Sequence, residues 1–136
     1  MHPSKFSYIA GGVARNIFEA LTKMNASPTL ITAIGDDEPG KILKSVMPNK
    51  LLNKMKIIKG QNTGQCIIVL NSKGDCSCLL ADFGITEQIR PEMIMQNKEE
   101  ILRARMIVLD ANLNIICIEE ILKTAMENNI PGKESD

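Results

Sequence analysis

The alternation of helix-type and strand-type patterns constrains the fold of this chain more than any other feature. Apolar residues recur at helical spacing over residues 14–24 and 39–47, and a run rich in β-formers, residues 29–34, lies between them. Parallel strands need long crossover connections, usually helices, whereas antiparallel strands can be joined by short turns. The alternation therefore predicts an α/β fold with a largely parallel sheet.

The remaining patterns extend this order along the chain. We expect short helices at 50–55, 91–96 and 99–103, strands at 56–59 and 106–110, and a last helix over 118–128. Strand 106–110 is strongly apolar and is predicted to be buried.

Two further β-rich runs, 65–70 and 76–81, are separated by the turn-forming residues 71–75, which is typical of an antiparallel hairpin. We expect this hairpin to be an appendage of the parallel sheet.

The motif Gly11-Gly12-Val13-Ala14-Arg15-Asn16 opens the first predicted helix. Glycines let a backbone approach a ligand closely, and a helix N-terminus offers unpaired N–H groups. Asn16 adds two donors and an acceptor in the first turn. The motif predicts a site for a small polar ligand, and a tight turn with ordinary helix capping remains the alternative. It is neither a P-loop nor a GxGxxG dinucleotide fingerprint.

Polar clusters also follow two predicted strands, at Gly35-Asp36-Asp37 and at Asp110-Ala111-Asn112. Ligands of open α/β sheets bind beyond the carboxyl ends of the strands, so these clusters and the glycine turn are expected to converge on one rim. Taken singly, each cluster also fits helix capping or turn chemistry. Two local predictions are sharper: Asn25 should adopt a left-handed φ after the first helix, and Pro39 should stand in the first turn of the second.

Composition excludes several functional classes. The 136 residues carry 16 basic and 16 acidic side chains, so no electrostatic attraction to nucleic acid or to a membrane surface is expected. With three Phe, one Tyr and no Trp, the chain offers few platforms for stacking bases. No apolar run is long enough to span a bilayer.

The four cysteines lie in apolar surroundings and lack zinc-type spacing, although Cys76 and Cys78 form a C-x-C pair. Free cysteine packs as a small hydrophobe, so we predict buried or half-buried structural thiols at Cys66, Cys76, Cys78 and Cys117. A reducing, cytosolic setting fits this pattern best.

At this point the motifs resemble those of the ribokinase-like (PfkB-type) carbohydrate kinases, and within that family most closely the pseudouridine kinases. Gly11-Gly12, Ala14, Asn16 and the segment 35–40 follow the family's first signature in order and spacing. The pseudouridine kinase character comes from residues 12–17, 80–82 and 108–113. Two positions depart from the signature: Phe18 stands where a small residue is usual, and Asn25 where Gly or Ser is usual.

The resemblance implies a Rossmann-like, three-layer parallel sheet, incomplete, with an antiparallel β lid. Residues 1–131 would form a partial kinase domain with its lid at about 56–85, and residues 132–136 a flexible tail. Gly11, Gly12 and Asn16 would hold the sugar hydroxyls of the substrate. Thr63 and Asp82 would also bind the substrate, as part of the lid over it, which often mediates dimer contacts.

The resemblance also implies ATP and magnesium as cofactors, with Asp110 and Asn112 at the rim facing the phosphates and the metal. The family's first strand would precede this sequence, and its Gly-Ala-Gly-Asp turn, with the catalytic base and an anion hole, would lie beyond residue 136. The polar tail departs from the expected continuation into another strand, as in a truncated or alternatively spliced product.

Three hypotheses follow from these residues. The first is an inactive fragment of a kinase that phosphorylates pseudouridine to its 5'-phosphate, with a small-molecule sugar or nucleoside as its partner. The second is a non-catalytic binding module that dimerises through the lid, and the third is an unrelated small Rossmann-like binding domain.

Overall fold

The computed structural model describes residues 4–48 and 54–135. Its helices are α1 Val13–Lys23, α2 Glu38–Val46, α3 Pro91–Met95, α4 Lys98–Leu102 and α5 Ile115–Glu127, with a 3₁₀ turn at Gly84–Gln88. Its strands are β1 Thr32–Gly35, β2 Met55–Ile58, β3 Gln65–Leu70, β4 Cys76–Asp82, β5 Ile107–Asp110 and β6 Gly132–Ser135. Most of the short helix predicted at 50–55 lies outside the described residues, and Met55 itself opens β2.

The strand pairing confirms the predicted fold class. β1 pairs in parallel with β2, and β5 pairs in parallel with β6. β3 and β4 form the antiparallel hairpin, hereafter the lid. These six strands lie in three two-stranded sheets, so the parallel sheet is incomplete within the described residues.

Residues 132–135 were expected to be a loose tail, and the structure places them in β6 instead. The prediction was wrong because it considered only the polarity of this segment. β5 offers an edge of backbone donors and acceptors, and pairing with it satisfies the segment's backbone whatever its side chains are.

The two predictions about local backbone geometry are confirmed. Asn25 has a φ of 59° directly after α1, a conformation that Asn tolerates because its short polar side chain can bond locally. Pro39 lies in the first turn of α2, where its missing N–H is not needed.

Two apolar clusters hold the elements together. In the first, Phe18 of α1, only 4% exposed, packs with Leu30, Ile34, Met47 and Met55. The larger cluster joins β1, the 3₁₀ turn and helices α3 to α5 around Cys117 and Ile121. The large side chain at position 18, unusual for the resembled family, is therefore a core residue that joins α1 to β1 and β2.

Three of the four cysteines are exposed, and this corrects the prediction of buried thiols. Cys117 is fully buried, and its thiol donates to the backbone oxygen of Ile89 at 3.0 Å. Cys66, Cys76 and Cys78 lie on the lid and are exposed. Their strands are as apolar as core strands, but no other described element covers either face of the lid.

Strand β5 is also less buried than its apolar sequence predicts. Ile107 and Leu109 pack against the larger cluster, whereas Val108 points away from it and is 38% exposed. A strand buried on both faces needs a complete layer on each side, and within the described residues only Ile107 and Leu109 of β5 pack against a core cluster.

Candidate functional site

The glycine turn leads into α1 with an open backbone. Gly12 has a φ of 99°, a conformation that residues with a Cβ rarely adopt, and as N-cap it supplies no side-chain acceptor. At Gly11 no described atom lies within 4 Å of the place a Cβ would take. The turn is therefore accessible from outside, and the N–H groups of the first turn of α1 point toward it.

Arg15 holds this turn in shape. Its Nη2 donates to the carbonyl oxygen of Ala10 at 2.8 Å and its Nε to that of Gly11 at 2.9 Å. Its Nη1 donates to Oε2 of Glu19 at 2.8 Å, one helical turn further along. Sequence reasoning did not single out Arg15, although its place within the 11–16 motif was a signal for it.

The pKa of the Glu19 carboxyl lies below its ordinary value. The hydrogen bond from Lys23, at 2.6 Å, is the main cause, and the bond from Arg15 adds to it. Glu19 therefore stays ionised, and its one negative charge is shared between Arg15 and Lys23.

Asn16 is exposed beside this turn. Its Oδ1 accepts a hydrogen bond from Arg15, and its backbone N–H donates to Gly12. No hydrogen bond of its Nδ2 is recorded within the described part of the chain. The side chain can therefore donate to an oxygen of a ligand, as expected for a residue that binds sugar hydroxyls.

A second polar cluster joins the end of β1 to the base of the lid. Asp37 caps α2 by accepting from the backbone N–H of Gly40 at 3.0 Å, and its other oxygen accepts from that of Thr63 at 2.8 Å. The Thr63 hydroxyl donates to Asp37 and accepts from the backbone N–H of Gly35 at 2.9 Å. For Asp37 the capping interpretation is confirmed.

Burial alone would raise the pKa of Asp37, but the hydrogen bonds from Thr63 and Gly40 together outweigh it and lower that pKa. Thr63 itself is only 2% exposed, and its hydroxyl is used within the chain. Its expected contact with substrate stays a prediction.

The glycines of this segment are required by close packing. A Cβ on Gly40 would lie 2.5 Å from the carbonyl oxygen of Gly35, and one on Gly35 would overlap the carbonyl oxygen of Gln61. Asp36 adds a further tie, because it accepts from the backbone N–H of Gly60 at 2.9 Å. The segment thus fixes where the lid begins.

The remaining predicted residues make local turns. Asp82, exposed at the end of β4, accepts from the backbone N–H of Gly84 at 3.1 Å. Asp110, at the end of β5, accepts from both the backbone N–H and the side-chain amide of Asn112, at 2.9 and 2.8 Å. In the described ranges, no cluster of three or more potential metal-binding side chains occurs.

Two of the elements that carry the predicted rim residues contact each other. α1, which begins at the glycine turn, contacts β5, which ends at Asp110. Thr63 joins the end of β1. Two shallow surface grooves lie elsewhere, one between α3 and α5 and one beside β2, and neither contains a predicted site residue. A single rim formed by all three clusters remains a prediction.

Fold and motifs together define a ribokinase-like kinase domain, and sequence comparison supports this at the family level. The chain belongs to the pfkB family of carbohydrate kinases, which it matches over residues 1–131. It is 31% identical over 134 residues to the pseudouridine kinase of Escherichia coli (strain K12), covering 96% of this chain and 42% of that one. It is 27% identical to the pseudouridine kinase of Arabidopsis thaliana, over 95% of this chain and 34% of that one.

Solved structures agree on the fold. The ribokinase of Arabidopsis thaliana, determined with ribose and ATP, superposes with a TM-score of 0.80 at 18% identity, over 98% of this chain and 47% of that one. The nucleoside kinase of Burkholderia thailandensis, determined with inosine, gives a TM-score of 0.66 at 12% identity, over 91% and 39%. The chain thus spans less than half of each relative. Among the described helices, none is long and apolar enough to cross a membrane.

Proposed function

We propose that this chain carries the nucleoside-binding part of a kinase that phosphorylates pseudouridine to pseudouridine 5'-phosphate with ATP and magnesium. The observation that carries the proposal is the exposed glycine turn with Asn16 beside it, in a chain 31% identical to a pseudouridine kinase over 96% of its length. The ribose of a nucleoside presents several hydroxyl groups to such a turn.

Each site residue has a defined role in this proposal. The backbone at Gly11 and Gly12 and the amide of Asn16 bind the ribose hydroxyls, and the lid, through Asp82, covers the bound nucleoside. Asp110 and Asn112 offer oxygen ligands, which Mg²⁺ prefers. In phosphoryl-transfer sites Mg²⁺ is usually bound by one or two carboxylates together with substrate phosphates. The metal would neutralise charge on the phosphates.

The chain by itself is proposed to bind without turnover. Its 136 residues contain no Gly-Ala-Gly-Asp sequence, the family element that supplies the base and the anion hole. Phosphoryl transfer depends on positioning and on stabilising developing charge, so catalysis without both groups should be very weak.

Titration calorimetry with pseudouridine and with its isomer uridine tests the binding proposal. Replacing Asn16 by Ala should weaken pseudouridine binding by about 1–3 kcal/mol, because a buried polar group of the ligand loses its partner. Gln96→Ala, which shortens another exposed amide at the end of α3, is the matched control and should leave affinity unchanged. Equal binding by wild type and Asn16→Ala would contradict the assigned role.

A second candidate function is self-association through the lid. Ile67 pairs with Leu80 and Ile68 with Leu79, and successive residues of a strand point to opposite faces. Their exposures, 61%, 59%, 55% and 56%, are nearly equal, so neither face is covered. Isolated two-stranded hairpins are marginally stable, and uncovered apolar faces favour association with another surface.

Light scattering of a charged lid variant tests this second candidate. Ile68→Lys should shift the chain toward monomer while the helical circular dichroism stays unchanged. Met126→Lys, which places the same charge at an exposed position of α5, is the control and should not change the mass. A wild-type chain that stays monomeric at high micromolar concentration would exclude lid-mediated association.

A further inference from the structure

Arg15 makes more hydrogen bonds to the glycine turn and its neighbours than any other side chain described. Its guanidinium donates to the carbonyl oxygens of Ala10 and Gly11, to Oδ1 of Asn16 and to Glu19. The side chain is only 15% exposed although the turn itself is open. Arg15 therefore lies beneath the turn rather than in the space a ligand would enter.

The bonds to Ala10 and Gly11 matter because little else fixes this segment. Residues 4–12 have no regular secondary structure, and Gly12 is in a conformation that glycine leaves and enters freely. Two parallel N–H donors of one planar group restrain two successive carbonyls at once, which a lysine ammonium cannot do with the same geometry.

The bond to Asn16 fixes the polarity of the site. A guanidinium has donors and no acceptor, so the atom of Asn16 that faces it must be the amide oxygen. The Nδ2 group is then directed away from Arg15. A ligand atom that meets Asn16 is therefore met by a donor and must itself be an acceptor.

Arg15 has little capacity left for a ligand of its own. Four of its five N–H donors take part in the four hydrogen bonds within the chain, and ionised Glu19 offsets part of its charge. A bidentate contact to a phosphate needs two free, parallel donors, and Arg15 has one left.

We propose that Arg15 is a positioning residue: it restrains the Gly11–Gly12 turn and orients Asn16 so that its Nδ2 donates to a hydroxyl oxygen of the ligand. The identity of that ligand as a nucleoside rests on the proposed function. The restraint of the turn and the orientation of Asn16 do not depend on the proposed function.

Three variants separate positioning from direct contact. Arg15→Gln removes the guanidinium fork, and Arg15→Lys keeps the charge without it. Asn16→Asp keeps an acceptor for Arg15 but removes the outward donor. Lys123→Gln removes a positive charge from an exposed position of α5, outside the hydrogen bonds of Arg15 and Glu19, and is the control.

Two readouts are measured on the full 136-residue chain: backbone ¹⁵N order parameters at Gly11 and Gly12, and affinity for pseudouridine by calorimetry. Arg15→Gln should lower the order parameters from the rigid range toward about 0.6 and weaken binding about tenfold, because binding must now also order the turn. Arg15→Lys should restore neither the order parameters nor the affinity fully to the wild-type values. Asn16→Asp should keep the order parameters and lose binding, and Lys123→Gln should change neither readout.

Unchanged order parameters in Arg15→Gln would overturn the proposal, and if binding were nevertheless lost, Arg15 would contact the ligand directly. If the wild-type chain bound no pseudouridine, the proposed function would fail for this chain. The order parameters of Arg15→Gln would then still decide whether Arg15 restrains the turn.

Discussion

Replacing Thr63 by Val tests whether the cluster at the base of the lid stabilises the fold. Valine keeps the shape of threonine, so the change removes the hydroxyl without leaving a cavity. The buried N–H of Gly35 loses its acceptor, and Asp37 loses a donor but keeps its bonds to the backbone N–H groups of Thr63 and Gly40.

The expected cost follows from these two losses. A buried donor left without a partner costs about 1–3 kcal/mol. Asp37 is only partly buried, so water can replace the lost donor there, and the further cost is about 1 kcal/mol. The total, about 2–4 kcal/mol, is a large fraction of the 5–15 kcal/mol that stabilises a typical domain.

Urea unfolding followed by circular dichroism measures this loss. With a slope of about 2 kcal/mol per M, the middle of the usual range for small proteins, the midpoint should fall by roughly 1–2 M. Thr22→Val is the matched control, since its hydroxyl only adds a second bond to a helical carbonyl, that of Phe18, at 2.9 Å. Its cost should be about 0.5 kcal/mol.

The reasoning is refuted if Thr63→Val is no more destabilising than Thr22→Val. A double-mutant cycle with Asp37→Asn adds a second criterion, because bonded residues should show a coupling energy of about 0.5–3 kcal/mol. Unchanged stability together with lost pseudouridine affinity would instead assign Thr63 to substrate binding.

Three further predictions concern α1, the glycine turn and acid stability. Phe18→Ala should cost about 3–5 kcal/mol in urea unfolding through the cavity it leaves, whereas Met24→Ala, at a 75% exposed position, should cost little. Gly12→Ala should destabilise the chain by about 1 kcal/mol or more, because φ at this position is 99°; an unchanged midpoint would show that the turn relaxes. Asp37 has a lowered pKa in the fold, so its stabilisation is complete above its ordinary pKa and is lost as pH falls through the folded value; unfolding measured from pH 7 to pH 2 should show a shallower acid decline for Asp37→Asn than for wild type.

Local sequence signals were sufficient to predict α1, which follows the glycine turn, and the lid. α1 lies within one residue of its predicted bounds at each end, because an apolar stripe at helical spacing and Asn25 after it are both local features. The lid follows equally directly from two β-rich runs and a turn between them. The predicted last helix began three residues late, since Asn114, its actual N-cap, was not recognised.

The candidate site was predictable in part. Gly12 and Asn16 could be proposed from residue type and spacing, because a glycine turn before a helix has a defined geometry. The role of Arg15 could not be predicted in the same way. An arginine in a helix usually faces solvent, and only the folded turn shows which carbonyl oxygens it bonds.

The sequence by itself determined the class of fold, the order of the elements and the turn chemistry, because periodicity, capping and left-handed positions depend on neighbours along the chain. Only the tertiary structure decided which polar and apolar groups are buried, which are exposed, and which hydrogen-bond partners they have. Thr63 bonds Gly35 and Asp37, which lie more than 25 positions earlier in the sequence, and is buried there. The strands of the lid are as apolar as core strands, yet they stay exposed because no described element packs on them. Burial and hydrogen-bond partners arise from contacts between distant segments, and no local pattern encodes them.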